Sequence, residues 1–289
     1  MKALLLLVLL SFTTAMALQA QAYDVFGNQI PESAAQKKVE APKGNINQTD
    51  AQGRKQGEWM KRYEDGKPAY KATFVNDKPV GELLRYYPSG KLKARILYVK
   101  NSDLGRAELY NEAEKVIAKG NYIQNKKDSI WLYYDDKGQL SAKEQFKTGV
   151  QIGKSYIYFP NGKVSEETTW KDNMKDGPWI QYFENGAVKM TCAYQSNKIH
   201  GDYTYYFENG KKEIVGKYYQ GLEDGKWVFY KAEDGKQDYI MDYDKGVLKN
   251  QAELDERNNK ELQDLQKNKD QLVDPEKVRD DPDAVMQTR

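Results

Sequence analysis

The chain has 289 residues and nearly balances its charges, with 45 Lys and Arg against 43 Asp and Glu and a formal net charge of +2. That balance argues against nucleic acid as the main partner, because phosphate binding rests on a clear excess of basic side chains. The single cysteine, Cys192, excludes an intrachain disulfide and a cysteine metal cluster.

The first segment reads as a targeting signal. Lys2 is a short positive region, Ala3 to Leu10 is apolar, and small-residue cleavage sites follow at Ala15-Met-Ala17 and Ala20-Gln-Ala22. Residues 1–22 are therefore expected to be a secretory signal peptide, since the apolar run is too short to anchor in a bilayer. No cysteine lies near the cleavage site, which closes the lipoprotein route. The expected product is exported to the periplasm or cell surface without a transmembrane anchor. Residues 23–56 follow as a polar leader, punctuated by Gly27, Pro31, Pro42 and Gly44, that ends in a turn-rich approach to what comes next.

What comes next is a repeat. Stepping by 24 residues gives Gly57, Gly81, Gly105, Ser129, Gly153, Gly177, Gly201 and Gly225. Five residues on, the column reads Arg62, Tyr86, Tyr110, Tyr134, Tyr158, Tyr182, Tyr206 and Tyr230. Seventeen residues on, it reads Phe74, Tyr98, Tyr122, Phe146, Trp170, Tyr194 and Tyr218, then Tyr243 after a one-residue slip at Asp234-Gly235. Three columns in phase mean an array of supersecondary units, here over residues 57–249.

Each unit reads as a hairpin. A strand such as Trp179-Ile-Gln-Tyr-Phe183 leads to a three-residue turn ending in glycine, as in Glu-Asn-Gly186 or Pro-Ser-Gly90. That chemistry suits a type I turn with glycine in the left-handed position. The return strand alternates, as in Leu92, Ala94, Ile96 and Tyr98 against Lys91, Lys93 and Arg95, which marks one buried face. A second turn, such as Asp172-Asn-Met-Lys-Asp176, leads to the next opening glycine.

If pairing runs unbroken from the turn, Tyr182 shares a face with Val188, Met190, Cys192 and Tyr194, and this tyrosine face is expected to be the more buried one. The other face then carries Trp59, Trp131, Trp179 and Trp227, with Tyr63, Tyr87, Phe159, Phe183 and Phe207. The Gly105 unit is degenerate, with Ala107 in place of Trp and Glu114 in place of the turn glycine, and is the expected site of a kink. The fold class is all-β: an elongated, single-layer antiparallel hairpin array, on the order of 75 Å long before coiling. Beyond it, residues 250–289 form a tail with 11 acidic and 7 basic residues. In it Leu254, Leu262, Leu265 and Leu272 outline a short helix over 251–273 that could cap the last hairpin, before Asp274-Pro275 and Asp281-Pro282 break it.

At these residues the chain resembles the MORN-repeat family in its bacterial variant. The shared pattern is glycine, a spacer, Trp, two spacers, a Tyr-Tyr or Tyr-Phe pair, then Asn-Gly-Lys. It stands most fully as Gly177-Pro-Trp179-Ile-Gln-Tyr182-Phe183-Glu-Asn-Gly186, and the resemblance covers roughly residues 45–248. It implies an elongated hairpin sheet, a scaffolding or protein-binding role and no catalytic residues. Relatives include YwqK-type antitoxins.

Little in the chain suggests chemistry. His200, the only histidine, stands just before an opening glycine, where other units place Gln56, Val80, Asp128 or Asp176, and reads as a turn residue. Cys192 falls in an alternating apolar set and reads as a packed thiol. No nucleophile-elbow or phosphate-loop motif is present, and no cofactor or metal is expected. The remaining candidate is the aromatic face. Trp131, Phe159, Trp179, Phe183, Tyr203, Phe207 and Trp227 could form a strip that binds a partner, or could pack on neighbouring hairpins and hold the ladder together, the reading the sequence favours. The function expected is that of an exported, non-enzymatic interaction scaffold of the cell envelope with a protein partner. Alternatives are a glycan- or cell-wall-binding module and an antitoxin-like inhibitor of an exported toxin.

Overall fold

The structure is a computed structural model that describes residues 45–99 and 102–268. The expected signal peptide, most of the leader and the tail beyond residue 268 lie outside the described residues. What is described is one open antiparallel sheet of 21 strand segments followed by a single helix, Gln251–Lys267.

The two turns of each unit differ in kind. In the Gly177 unit the amide N–H of Phe183 donates to the carbonyl of Ala187 (2.9 Å) and that of Gly186 to Phe183 (2.8 Å), which closes the expected three-residue loop. Gly186 supplies the left-handed residue at φ +96°, and Glu114 takes that conformation in the degenerate unit at φ +61°. The extra residue near Gly235 is absorbed here, because Lys231 pairs with Lys236 around a four-residue turn. At the opposite edge, the expected five-residue turn Asp172–Asp176 is instead a two-residue one. Asp172 and Asn173 both have positive φ, and Lys171 already pairs with Met174. Two consecutive left-handed residues make a type I′ turn, whose twist matches that of the flanking strands. Asn76-Asp77, Gln124-Asn125 and Ser196-Asn197 repeat it.

A short turn leaves residues over, and the opening glycine absorbs them. Thr168 pairs with Trp179 but Trp170 pairs with Lys175, so the register steps by two around Gly177. The same step occurs at every junction between units except the one before Gly105. There Tyr98 pairs with Gly105 in unbroken register and the loop after Val99 is longer. The degenerate unit thus keeps the 24-residue period by exchanging a bulge for loop residues, and its strands continue the sheet.

A second bulge decides the faces. Tyr182 pairs with Val188, as the turn requires, but Gln181 pairs with Met190 and Trp179 with Cys192, leaving Lys189 as the extra residue. Every unit slips at this point. The expected face assignment is therefore wrong. The tryptophan column, not the tyrosine column, shares a face with Met190, Cys192 and Tyr194. That face is the buried one, holding Ala72, Phe74, Leu83, Ala94, Ile96, Tyr98, Ala107, Ala118, Trp131, Thr168, Met190, Cys192 and Trp227. Each opening residue faces the aromatic of the seventeenth column, as Gly57 faces Phe74 and Gly177 faces Tyr194.

Between units, the residues of the buried face complement one another in size. Trp131 lies flat against Gly120, and Trp227 against Gly216, so closely that a Cβ on either glycine would collide with the indole. Small Ala107 faces Ile96, and Thr168 faces Trp179. Tyr122 then meets Trp131 edge-on at 5.0 Å, and Tyr218 meets Trp227 at 4.9 Å. A glycine inside a strand here marks close approach by a neighbour rather than a break.

The motif lysine has a structural use. The Nζ of Lys67, Lys91, Lys163 and Lys211 each donates to a carbonyl of the next unit's turn, on Pro88, Glu112, Asn185 and Glu233. On the other edge, the side chains of Asp77, Asn173 and Asn197 accept from the backbone N–H of Lys55, Gln151 and Lys175 in the preceding unit. Both edges are thereby stitched unit to unit.

The two ends of the sheet are closed by the same device. Asn47, beside the short strand Gln48–Thr49, donates from its amide to the carbonyl of Met60 and accepts from the N–H of the same residue. Asn250, at the start of the helix, donates to the carbonyl of Ile240 and accepts from the N–H of Asp242. In each case a side-chain amide replaces the peptide of a missing strand, blunting an edge that would otherwise pair with another chain. The helix adds Leu254, which is buried, and Arg257, which stacks 4.4 Å from the ring of Tyr239 and pairs with Asp238 at 3.1 Å.

Candidate interaction surface

The seven candidate side chains do not form one exposed strip. Trp131 is 0% exposed and Trp227 6%, so both belong to the packed face. The indole N–H of Trp131 donates to the carbonyl of Asn121 at 3.0 Å, which satisfies the polar atom inside the core. Trp179 and Tyr203 are half-buried, each against another ring: Trp179 is 5.2 Å from Tyr194, and Tyr203 is 5.2 Å from Trp227. Phe159, Phe183 and Phe207 are half-buried beside the glycine-ended turns.

Those three phenylalanines occupy a column whose first members behave differently. Tyr63 and Tyr87 stand at the same place in earlier units, and their hydroxyls donate to the carbonyls of Tyr86 and Tyr110 at 2.7 and 2.8 Å. They tie one unit to the next. Phenylalanine has no hydroxyl to do so. Lys189 places its ammonium 5.7 Å from the Phe183 ring and 5.9 Å from that of Tyr205, making a cation–aromatic cluster at this edge.

The exposed large apolar side chains extend the contrast. Ile157 (48%), Met174, Val188, Tyr219, Leu222 (48%) and Val247 are all exposed and all lie after residue 150, whereas Val75 alone stands among them within the earlier units. Scattered exposed apolar side chains are ordinary, and four of these, Met174, Tyr219, Leu222 and Val247, flank the two-residue turns at the edge opposite the phenylalanines.

The tyrosine face is polar and cross-linked. Glu82 pairs with Arg95, Glu108 with Lys119, and Glu167 with Lys154 across adjacent strands. The first two, exposed pairs, contribute about 0.2–1 kcal/mol each, while the Glu167 side chain is mostly buried. The pairs keep this face solvated.

The residues that chemistry would need are engaged in packing. Burial pushes the Cys192 thiol up from its ordinary range, away from the thiolate a nucleophile requires. The Nδ1 of His200 accepts from the N–H of Gln220 at 3.4 Å, and its ring lies 5.4 Å from that of Tyr219. Among the described residues, no group of three or more His, Cys, Asp and Glu side chains is placed to hold a metal ion. No helix among them is long and apolar enough to cross a membrane.

The sequence reading missed Lys55, Lys127 and Lys175, two residues before an opening position, which lie over the buried rings. Lys127 is 4.7 Å from Trp131 and 4.9 Å from Phe146, and Lys175 is 4.9 Å from Tyr194. Their recurrence in phase with the repeat was the signal available.

No curated protein matches the chain. Solved structures similar to part of the chain include two of TarM. One is a mutant of S. aureus TarM in complex with fondaparinux, alpha-GlcNAc-glycerol and UDP, 15% identical, with a TM-score of 0.21 over 42% of this chain and 19% of that one. The other is TarM, 14% identical, with a TM-score of 0.20 over 40% of this chain and 20% of that one. The chain thus spans about a fifth of those proteins, and scores of this size carry no argument about fold or activity. The model of the MORN repeat variant matches five times, over residues 55–76, 79–100, 151–172, 175–196 and 199–220. MORN repeats are non-catalytic units of protein and membrane interaction, and this chain belongs to the MORN repeat variant family.

Proposed function

We propose that the chain is an exported, non-enzymatic scaffold that holds a protein partner on the later units of its array. The observation that carries this reading is the Phe159, Phe183 and Phe207 column. Three rigid rings recur at one edge, without the inter-unit hydrogen bond that Tyr63 and Tyr87 make from the same position. Exposed Ile157 and the Lys189 cluster lie among them. Large, rigid aromatic side chains on a stitched sheet lose little freedom on binding and suit the centre of an interface. Trp179 and Tyr203 support the strip from beneath, and Trp131 and Trp227 serve the ladder.

The test has two parts. Cell fractionation with N-terminal sequencing of the protein should find it outside the cytoplasm and beginning at Tyr23. A bait carrying Phe159, Phe183 and Phe207 changed to Ser should retain the wild-type circular dichroism spectrum and lose the partner that the wild type captures from envelope extract. Equal capture by both folded baits removes the strip from the interface. Retention on purified wall glycan, lost in the same variant, would replace the protein partner with a glycan.

A further inference from the structure

A recess opens between the Gly81 and Gly105 units, on the buried face near the glycine-ended turns. It encloses about 340 Å³ and is lined by Arg85, Tyr87, Lys93, Ala94, Ile96, Leu109, Tyr110, Ile117, Tyr122 and Asn125. It lies beside the degenerate unit, where Ala107 stands in the tryptophan column. Its apolar floor is formed by buried Ala94 and Ile96 and part-exposed Leu109 and Ile117.

The rim is cationic. Among the described residues neither Arg85 nor Lys93 has a carboxylate partner, while the acidic side chains of these units are engaged elsewhere: Glu82 with Arg95, Glu108 with Lys119, Asp103 with Lys78. Glu82 and Glu108 also lie on the opposite face of the sheet. Lys93 sits 5.2 Å from the Tyr87 ring, whose hydroxyl is fixed by the carbonyl of Tyr110. The Arg85 charge reaches both Tyr98 and Tyr122. Asn125 accepts from the Tyr98 hydroxyl at 3.3 Å, which leaves its amide nitrogen as a further donor.

We propose that this recess binds a short peptide segment that pairs a carboxylate with a neighbouring apolar side chain. The carboxylate meets Arg85 and Lys93, and the apolar side chain covers Ile96, Leu109 and Ile117. The volume is near the lower bound for ligand pockets and suits one or two residues. An anionic membrane surface fits less well, because lipid recognition of that kind uses clusters of about 4–8 projecting basic residues rather than two at the rim of an apolar recess. The site is separate from the phenylalanine column, and its test stands whether or not that column binds protein.

The probe is the blocked peptide acetyl-Leu-Asp-Phe-amide, titrated calorimetrically into the full chain at low salt, beside its Asn counterpart. Submillimolar binding of the Asp peptide is expected. The Asn peptide should bind at least about tenfold more weakly, which corresponds to about 1.4 kcal/mol. Arg85→Gln should reduce affinity by a similar factor, as should Lys93→Gln, whose exposed side chain makes misfolding a poor explanation of its loss. Lys61→Gln changes the exposed counterpart of Arg85 in the Gly57 unit, which lacks the recess, and should leave binding unchanged. Equal binding of the Asp and Asn peptides, an equal loss in Lys61→Gln, or no heat at millimolar peptide overturns the proposal. So does a preference for phosphatidylglycerol vesicles over the peptide that Arg85→Gln abolishes, which would make the recess a lipid site.

Discussion

The earlier and later units use one hairpin plan with opposite emphasis. Between residues 72 and 131 the buried face holds a continuous cluster, from Ala72 and Phe74 through Ile96 and Ala107 to Trp131, with Tyr122, Tyr133 and Phe146 packed against it. Beyond residue 150, Thr168, Met190, Cys192 and Trp227 are buried, while Ile157, Val188 and Leu222 are exposed. The family pattern does not separate the two regions: two of its five matches, at 55–76 and 79–100, fall within that cluster, three fall beyond it at 151–172, 175–196 and 199–220, and none covers 101–150. Where the tryptophan is lost at Ala107, aliphatic residues fill the face, and the hairpin survives without a recognisable repeat.

The largest effect should separate the two halves through their tryptophans. Trp131→Ala removes the most enclosed ring, and large core truncations of this kind cost about 3–5 kcal/mol. Trp179→Ala removes a half-exposed ring whose indole N–H has no partner, and should cost clearly less. Arrays unfold unit by unit rather than all at once, so hydrogen exchange should be read alongside denaturant melts. In Trp131→Ala, protection should fall first between residues 94 and 146. Equal costs for the two variants would end the distinction between a buried half and an exposed one.

Next come the glycines beneath the indoles. Gly120→Ala and Gly216→Ala each place a methyl group where the ring of Trp131 or Trp227 now lies. Overpacking costs about 1–3 kcal/mol, and melts should show both losses. Gly162→Ala meets no neighbouring atom and should cost only the strain of its left-handed turn. If Gly120→Ala is silent, Trp131 has room to move and the earlier core is looser than its burial implies.

The sheet ends offer a smaller effect. Asn250→Ala removes two hydrogen bonds from the last strand, and Asn47→Ala removes two from the first. Water reaches both edges, so each should cost on the order of 1 kcal/mol. Both variants should also associate more readily at high concentration, seen by light scattering, because an unpaired edge strand is a template.

Much of this architecture was legible in the sequence. The period, the two strands per unit, the glycine-ended turn and the terminal helix all follow from residue chemistry that acts locally. The face assignment did not, because the unpaired residue at Lys189 carries no signature: its column reads Ala69, Lys93, Ile117, Ser141, Ser165, Lys189, Glu213 and Asp238. One silent insertion reverses every side chain beyond it. A sharper reading was open at Gly120 and Gly216, where glycine interrupts a strand and a tryptophan follows eleven residues later in both cases. The phenylalanine column was visible too, but its separation from Tyr63 and Tyr87 required the hydroxyl's partner in the next unit, which only the sheet supplies.

The smallest expected effect is a pH dependence confined to alkali. Burial, then the carboxylate of Glu223, pushes the Tyr218 phenol up to about 12, and burial followed by the carboxylate of Glu108 does the same for Tyr110. An unfolded tyrosine titrates near 10, so in the interval between the two values the folded chain holds a proton that the unfolded chain has released. Stability from these phenols is therefore complete below about pH 10 and declines as pH rises towards 12. Both rings are partly exposed, which screens the effect. Tyr218 packs against Trp227 in a later unit, whereas Tyr110 bonds Glu108 on the solvated face of an earlier one. Tyr218→Phe keeps the ring and removes the titrating group, so it should flatten the alkaline decline more for units after Gly201 than before it. A decline unchanged in both Tyr218→Phe and Tyr110→Phe would assign alkaline sensitivity to other groups and leave the two halves equal in this respect.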